Sequence, residues 1–237
     1  MEREELEKKI GSNSYPENMI EIDCVIFCFE EKSLKVLLVK NESDAATGTW
    51  KLPSDILKEG ETILKTAQKV LKKYVPANDS FLEQLQAFAS DSPISAREHI
   101  SIGYYSLVRK DRRKNEDEDS NSNIIWTDIH SVKNLEEKHR LVLDFSIKEL
   151  KKNICWSAVG FNLLQEKFTL LQVIHLYEEI LGIKINKTNF RRKILQRKLV
   201  RSLEEKEEGV SYRAAKYYNL NVPTNEIFWN AKFNFNF

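Results

Sequence analysis

A chain of 237 residues that is 41% hydrophobic and 31% charged has apolar side chains enough for one large core or two modest ones. No apolar run approaches the roughly 18 residues of a membrane-crossing helix, and the opening stretch MEREELEKK lacks the apolar centre of a secretion signal, so a cytoplasmic location and no membrane partner are expected. The net charge of +1 conceals a polarised distribution: from Lys184 to Lys216 stand eleven Lys and Arg against four Glu, which leaves the rest of the chain at minus six. Such asymmetry points to one region suited to a polyanion.

In chain order, IEIDCVIFCF (20–29) and LKVLLVK (34–40) are rich in Val, Ile and Phe around a short polar turn and predict two paired strands. Cys24 and Cys28 lie in the first of these. With only Cys155 beside them they lack a second pair for zinc and are expected to be buried thiols. LPSDILKEGETILKTAQKVLKKYV (52–75) predicts a strand end, a turn around Glu59, Gly60 and Glu61, and an amphipathic helix over about 62–75. Ile63, Leu64, Ala67, Val70, Leu71 and Tyr74 recur at helical spacing, while Lys65, Lys69, Lys72 and Lys73 face away. LEQLQAFA, HISIGYYSLV and IIWTDI predict further strands around a polar loop at 109–123, and NLEEKHRLVLDFSIKELKKN (134–153) a helix. The mixture gives an α+β layered fold.

After Trp156 the pattern changes. In FTLLQVIHLYEEILG, Thr169 is placed to cap a helix with Gln172 at its third position, a capping box; Phe168 and Val173 stand where a hydrophobic staple sits, and Gly182 ends the helix. TNFRRKILQRK predicts a second helix over about 188–198, and LVRSL and SYRAAKYYNL two strands around the charged turn EEKEEG. Helix, helix and two-stranded wing is the order of a winged helix-turn-helix.

At about 100° per residue from Phe190, the side chains of Phe190, Ile194 and Leu195 define a buried side of the second helix. Asn189, Arg192, Lys193 and Gln196 fall opposite, where Arg suits guanine, Asn or Gln adenine, and Lys guanine or phosphate. Arg191 points to the flank, to brace the domain or reach a phosphate. Lys187 and Thr188 stand at the helix start, where free N–H groups favour phosphate. Arg197, Lys198 and Arg201 add backbone-binding charge, and in the wing Tyr212, Arg213 and Lys216 suit sugar-phosphate or the minor groove. The plain alternative is a solvated basic surface. His175 has apolar neighbours and reads as structural; His99, His130 and His139 show no metal-ligand spacing. No catalytic residue, metal or cofactor is expected.

WKLPSDILKEGETILKTAQKVLKKYV resembles a degenerate Nudix box, the loop-helix that holds magnesium in Nudix hydrolases. GFNLLQEKFTLLQVIHLYEEILG and NKTNFRRKILQRKLV resemble the C-terminal part of the Nudix-related transcriptional regulators, the NrtR and arabinose-responsive kind, so that the likeness covers roughly residues 15–220. It implies a charged arm (1–14), a Nudix-like α/β/α sandwich for effector binding and dimerisation (15–153), and a winged-helix DNA-binding domain with an aromatic tail (154–237). It further implies a homodimer on a palindromic double-stranded operator, tuned by a small molecule. In the family that molecule is an ADP-ribose-type nucleotide or, in one branch, a sugar such as arabinose.

The box departs from the family's pattern. Asp55 stands at its glycine and Glu61 keeps its first glutamate, but Lys69 and Val70 replace Arg-Glu, and Lys73 and Tyr74 replace Glu-Glu. A hard cation needs oxygen ligands that Val, Lys and Tyr do not offer. The expectation is therefore a regulator, not an enzyme, with Glu61 a turn carboxylate favoured by the helix dipole. Without magnesium to hold a diphosphate, the expected effector is a sugar or other neutral metabolite, and the regulated genes those of sugar (arabinose-type) or cofactor metabolism. Asp23, Lys40, Trp50 and Tyr104, on or beside the presumed pocket strands, are the candidate effector ligands; ordinary packing is their alternative. The rival readings are a Nudix hydrolase of nucleoside diphosphate derivatives with atypical metal ligands, and a winged helix that docks a protein.

Overall fold

The computed structural model describes residues 19–41, 48–76, 81–89, 100–112, 123–207 and 214–221. The arm at 1–14, His99, Tyr212, Arg213 and the aromatic tail lie outside the described residues.

The first strand, β1 (Ile20–Glu30), turns into β2 (Ser33–Lys40) through Glu31 and Lys32, both left-handed at φ 52° and 65°. That is the backbone of a two-residue hairpin turn whose twist matches the strands it joins. Two short strands follow, β3 (Trp50–Lys51), which periodicity does not reveal, and β4 (Ser54–Ile56), where the sequence predicts a strand end, then helix α1 (Ile63–Tyr74) and strands β5 (Phe81–Ala89), β6 (Ile100–Val108) and β7 (Ile124–Asp128). Helix α2 (Glu137–Trp156) starts and ends three residues later than the 134–153 expected.

Among the described residues these strands form one seven-stranded mixed sheet. The hydrogen-bond register shows how β1 sits at its centre. One edge is filled along its length by parallel β6, from Ile20 opposite Ile100 to Cys28 opposite Val108. The other edge is shared: β2 takes Phe27 to Glu30, and β4 takes Glu21 to Asp23, where β2 has diverged. With neighbours on both edges and a helix on each face, Ile22 to Cys28 are all buried, the near-continuous apolar run of a central strand. Side chains alternate between the faces. Ile22, Cys24 and Ile26 join Ala67, Val70 and Leu71 of α1, whereas Val25 and Phe27 join Val142, Leu143, Leu150 and Ile154 of α2. Both expected thiols, Cys24 and Cys28, are buried, and neither is in a disulfide. Thr62 caps α1 by accepting the Lys65 N–H at 3.2 Å. Leu64 departs from the apolar stripe and is half exposed. Gly103 leaves room for its neighbours on the α2 side: a Cβ there would lie 2.8 Å from the Phe88 ring and 3.2 Å from Val142 of α2.

Past Trp156 a 3-10 turn (Val159–Leu163) leads to β8 (Phe168–Thr169) and helix α3 (Leu170–Leu181). The capping box is formed as the sequence indicates: the Gln172 N–H donates to Thr169 Oγ1 at 3.2 Å and the Thr169 N–H to Gln172 Oε1 at 2.7 Å. Phe168 and Val173 are buried in one cluster, and Gly182 ends the helix at φ 70°. Helix α4 (Lys187–Gln196), β9 (Val200–Lys206) and β10 (Lys216–Leu220) complete a winged helix in which β10 lies between β9 and β8. Tyr177 is the hub of its core, with ring centroids 6.4 Å from Phe161 and 5.3 Å from Phe190. This cluster is continuous with the face of the sheet covered by α2, so sandwich and winged helix share one core.

Candidate nucleic-acid interface and Nudix-like cleft

Helix α4 begins at Lys187, with Asn186 as its cap accepting the Asn189 N–H at 3.0 Å. Phe190 and Ile194 are buried against α3, which fixes the rotation of the helix. Leu195 was expected on the buried side, yet it is 45% exposed, because only the strip through Phe190 and Ile194 meets the core. Lys187, Thr188, Asn189, Arg191, Arg192 and Gln196 are exposed, and Lys193 is half-buried. Arg192 donates to Asn189 Oδ1 at 3.3 Å, so the two side chains best suited to base edges lie side by side. Lys216 is exposed at the start of β10; Arg213, expected beside it in the wing, lies outside the described residues. Lys198 adopts φ 55° and swings the chain from α4 into β9.

On the opposite domain, the degenerate box is occupied by its own cations. Lys69 Nζ lies 3.4 Å from Glu61 and 3.7 Å from Asp55, and Lys73 Nζ 3.4 Å from Asp55. Glu61 also accepts the Thr66 hydroxyl at 3.2 Å. Desolvation acts upward on both carboxylates, but it is outweighed. Lys73 and Lys69 hold Asp55 below the ordinary carboxylate range, and hydrogen bonds from Lys69 and Thr66 do the same for Glu61. Val70 is fully buried and Tyr74 half-buried against the α1 core. A divalent ion here would find as carboxylates only Asp55 and Glu61, both already paired with ammonium groups, so these residues do not fit a magnesium cradle.

The four candidate effector ligands do not share one face. Lys40 and Trp50 are cross-strand partners, and Trp50 packs against the core on the α2 side. Asp23 is fully buried on that same side, bonded by the Ser101 hydroxyl. Tyr104 lies on the other side of the sheet, its hydroxyl donating to Gln84 Oε1 at 2.7 Å.

One cluster escaped sequence reasoning. Glu21, Asp23 and His139 place candidate ligand atoms within 4.8 Å of one another. His139 Nδ1 accepts the Leu52 N–H at 2.9 Å, which leaves Nε2 as the protonated nitrogen, 3.5 Å from Asp23 Oδ1. Lys138 Nζ bonds Glu21 at 2.5 Å. Burial pushes Asp23 upward, but His139, Lys138 and Ser101 together hold its carboxyl below the usual range. The cluster thus contains its own cation and donors, and serves as a buried joint tying β1, the chain before β4 and the first turn of α2. Its hydrogen-bonded partners are 78 to 117 residues apart, which no spacing rule detects.

Residues 160–220 match the family described as the NrtR DNA-binding winged helix domain. Over 221 residues the chain is 21% identical to a protein of Acinetobacter baylyi described as an ADPR responsive transcriptional repressor, NtrR, with 89% of this chain and 88% of that protein covered. Its fold is similar to that of Shewanella oneidensis NrtR solved with a 27mer DNA, with a TM-score of 0.76 at 24% identity over 88% of this chain and 96% of the other. It is also similar to that of a MutT/nudix family protein from Enterococcus faecalis, with a TM-score of 0.66 at 17% identity over 92% and 93%. The C-terminal part of this chain thus matches the NrtR DNA-binding winged helix domain, and the chain as a whole shares the fold of a Nudix-like sandwich joined to a winged helix.

Proposed function

We propose that this chain is a homodimeric transcriptional repressor whose Nudix-like domain binds an ADP-ribose-type nucleotide without hydrolysing it, and whose operator affinity depends on that nucleotide. The observation that carries the reading is the box itself. Lys69 and Lys73 bring two ammonium groups to the loop-helix that in Nudix hydrolases holds magnesium. Replacing carboxylates by lysine withdraws the ligands of a water-activating metal, while the two ammonium groups, paired here with Asp55 and Glu61, can turn to a diphosphate by exchanging those partners. Loss of the carboxylates thus disfavours hydrolysis more than it disfavours a nucleotide. The relative described as ADPR responsive supports that effector, and nothing in the comparisons supports a sugar.

In this reading Asn189, Arg192, Lys193 and Gln196 read base edges, while Lys187, Thr188, Arg191, Lys216 and the wing residue Arg213 meet the backbone. The effector must bind the DNA-competent and DNA-incompetent states with different affinity, and operator DNA then changes effector affinity by the same factor. Anisotropy titration of the purified protein with the duplex upstream of its own coding region tests this, with ADP-ribose, ADP-ribose plus EDTA, and arabinose as additions. Expected are DNA affinity altered by ADP-ribose irrespective of EDTA, no response to arabinose, and intact ADP-ribose by chromatography after incubation with magnesium. A response to arabinose alone, or turnover abolished by Glu61→Gln, overturns the assignment.

A further inference from the structure

A cleft of about 690 Å³ opens between the β1–β2 turn of the Nudix-like domain and the junction of α3 with α4. Lys32 enters it from the turn, His175 from α3, Lys184 from the connection, and Lys187 from the first residue of the reading helix. Two glutamates also line it, each tied to a backbone N–H and close to a basic side chain. Glu178 accepts the Ile185 N–H at 3.0 Å, with Lys184 Nζ 3.8 Å away. Glu179 accepts the Leu34 N–H at 3.2 Å and lies 3.6 Å from His130. Among the described residues, neither Lys32 nor Lys187 forms an ion pair. The lysine charges are felt inside the cleft: burial pushes His175 below its ordinary value, and Lys32, Lys187 and Lys184 add to that against the opposing Glu178. Glu31, the other turn residue, sits 3.9 Å from Lys35 and does not border this cleft.

Resting on the DNA-binding reading above, we infer that this cleft seats a phosphate of the operator backbone, held by Lys32 of the Nudix-like domain together with Lys187 and Lys184 of the winged helix. A reading helix enters the major groove N-terminal end first, so the flanking backbone passes the end of α4 at which the cleft opens. The occupant is therefore a duplex phosphate and not a free metabolite. The effector-binding domain then touches DNA itself. Any movement of the β1–β2 turn relative to α4 adds or removes a phosphate contact without disturbing the residues that read bases.

The test is a salt series of anisotropy titrations on full-length protein. Lys32→Gln is expected to lower the slope of log affinity against log salt by about 0.9, the signature of one phosphate, and to weaken binding roughly tenfold at 50 mM salt. Lys32→Arg keeps the wild-type slope, and both variants keep the wild-type ranking of operator sequences. An unchanged slope in Lys32→Gln, or equal loss in Lys32→Gln and Lys32→Arg, overturns the inference. So does a Lys32→Gln protein whose affinity for ADP-ribose, measured without DNA, falls instead, since the cleft would then hold a small molecule. Failure of the wild-type protein to bind any duplex would instead remove the DNA reading on which the inference rests.

Discussion

Helices α1 and α4 are both short, amphipathic and rich in basic residues, yet their cations have opposite fates. In α1, Lys69 and Lys73 are matched to Asp55 on β4 and Glu61 in the preceding turn. In α4, Lys187, Arg191 and Arg192 form no ion pair among the described residues. Helical wheels of the two look alike, so what separates a fastening helix from one proposed to read DNA is the charge of the neighbouring elements. Strand β4 presents a carboxylate to α1, whereas the exposed side of α4 faces outward from α3.

Val70→Glu should have the largest effect, although it restores the glutamate of the family's box. The side chain is fully buried, and an unpaired carboxylate there should cost about 3 kcal/mol or more. Thermal unfolding would show it as a clear fall in Tm, and calorimetric titration should detect no gain in magnesium binding. Next, Arg192→Ala should weaken operator binding by about 1–3 kcal/mol and relax preference at one base position. A uniform loss over all sequences would make it a phosphate contact and bring α4 closer to a merely basic surface.

A smaller effect should appear on acidification. Since the folded pKa of Asp23 lies below 3.8, its share of stability is complete above that pH and is lost as pH falls through the folded value. One proton changes stability by at most about 1.4 kcal/mol per pH unit. Chemical unfolding across pH 2–6 should show Asp23→Asn flatter than wild type in the acid range. Smallest is Lys69→Ala, which removes partly exposed ion pairs worth less than about 1 kcal/mol. Its readout is a weaker affinity for ADP-ribose with little change in Tm; unchanged affinity would confine the lysine to fastening α1.

Much of this was legible in the sequence, because the signals were local. The central strand announced itself as an apolar run, α3 by its cap and terminal glycine, and the winged helix by the order of its parts. What periodicity could not supply were pieces defined by their partners. Strands β3 and β8 are two residues long and exist only because β2 and β10 offer an edge. His139 was dismissed for want of ligand spacing, although its role is set by Leu52 and Asp23. Missing carboxylates point to a neutral effector while only the lost ligands are weighed; the ammonium groups of Lys69 and Lys73 beside Glu61 and Asp55 come into view with the structure.

Helix α2 is unbroken over 20 residues, a rod of about 30 Å. Its first turn is pinned to β1 through Lys138 and His139, and its last residues run into the winged helix. Geometry makes such a rod a lever: a tilt of roughly 6° at the pinned end carries the far end through about 3 Å. That displacement is comparable to the length of a hydrogen bond, and because Leu150 and Ile154 near the far end are buried in the core that sandwich and winged helix share, such a tilt has to carry the winged helix with it.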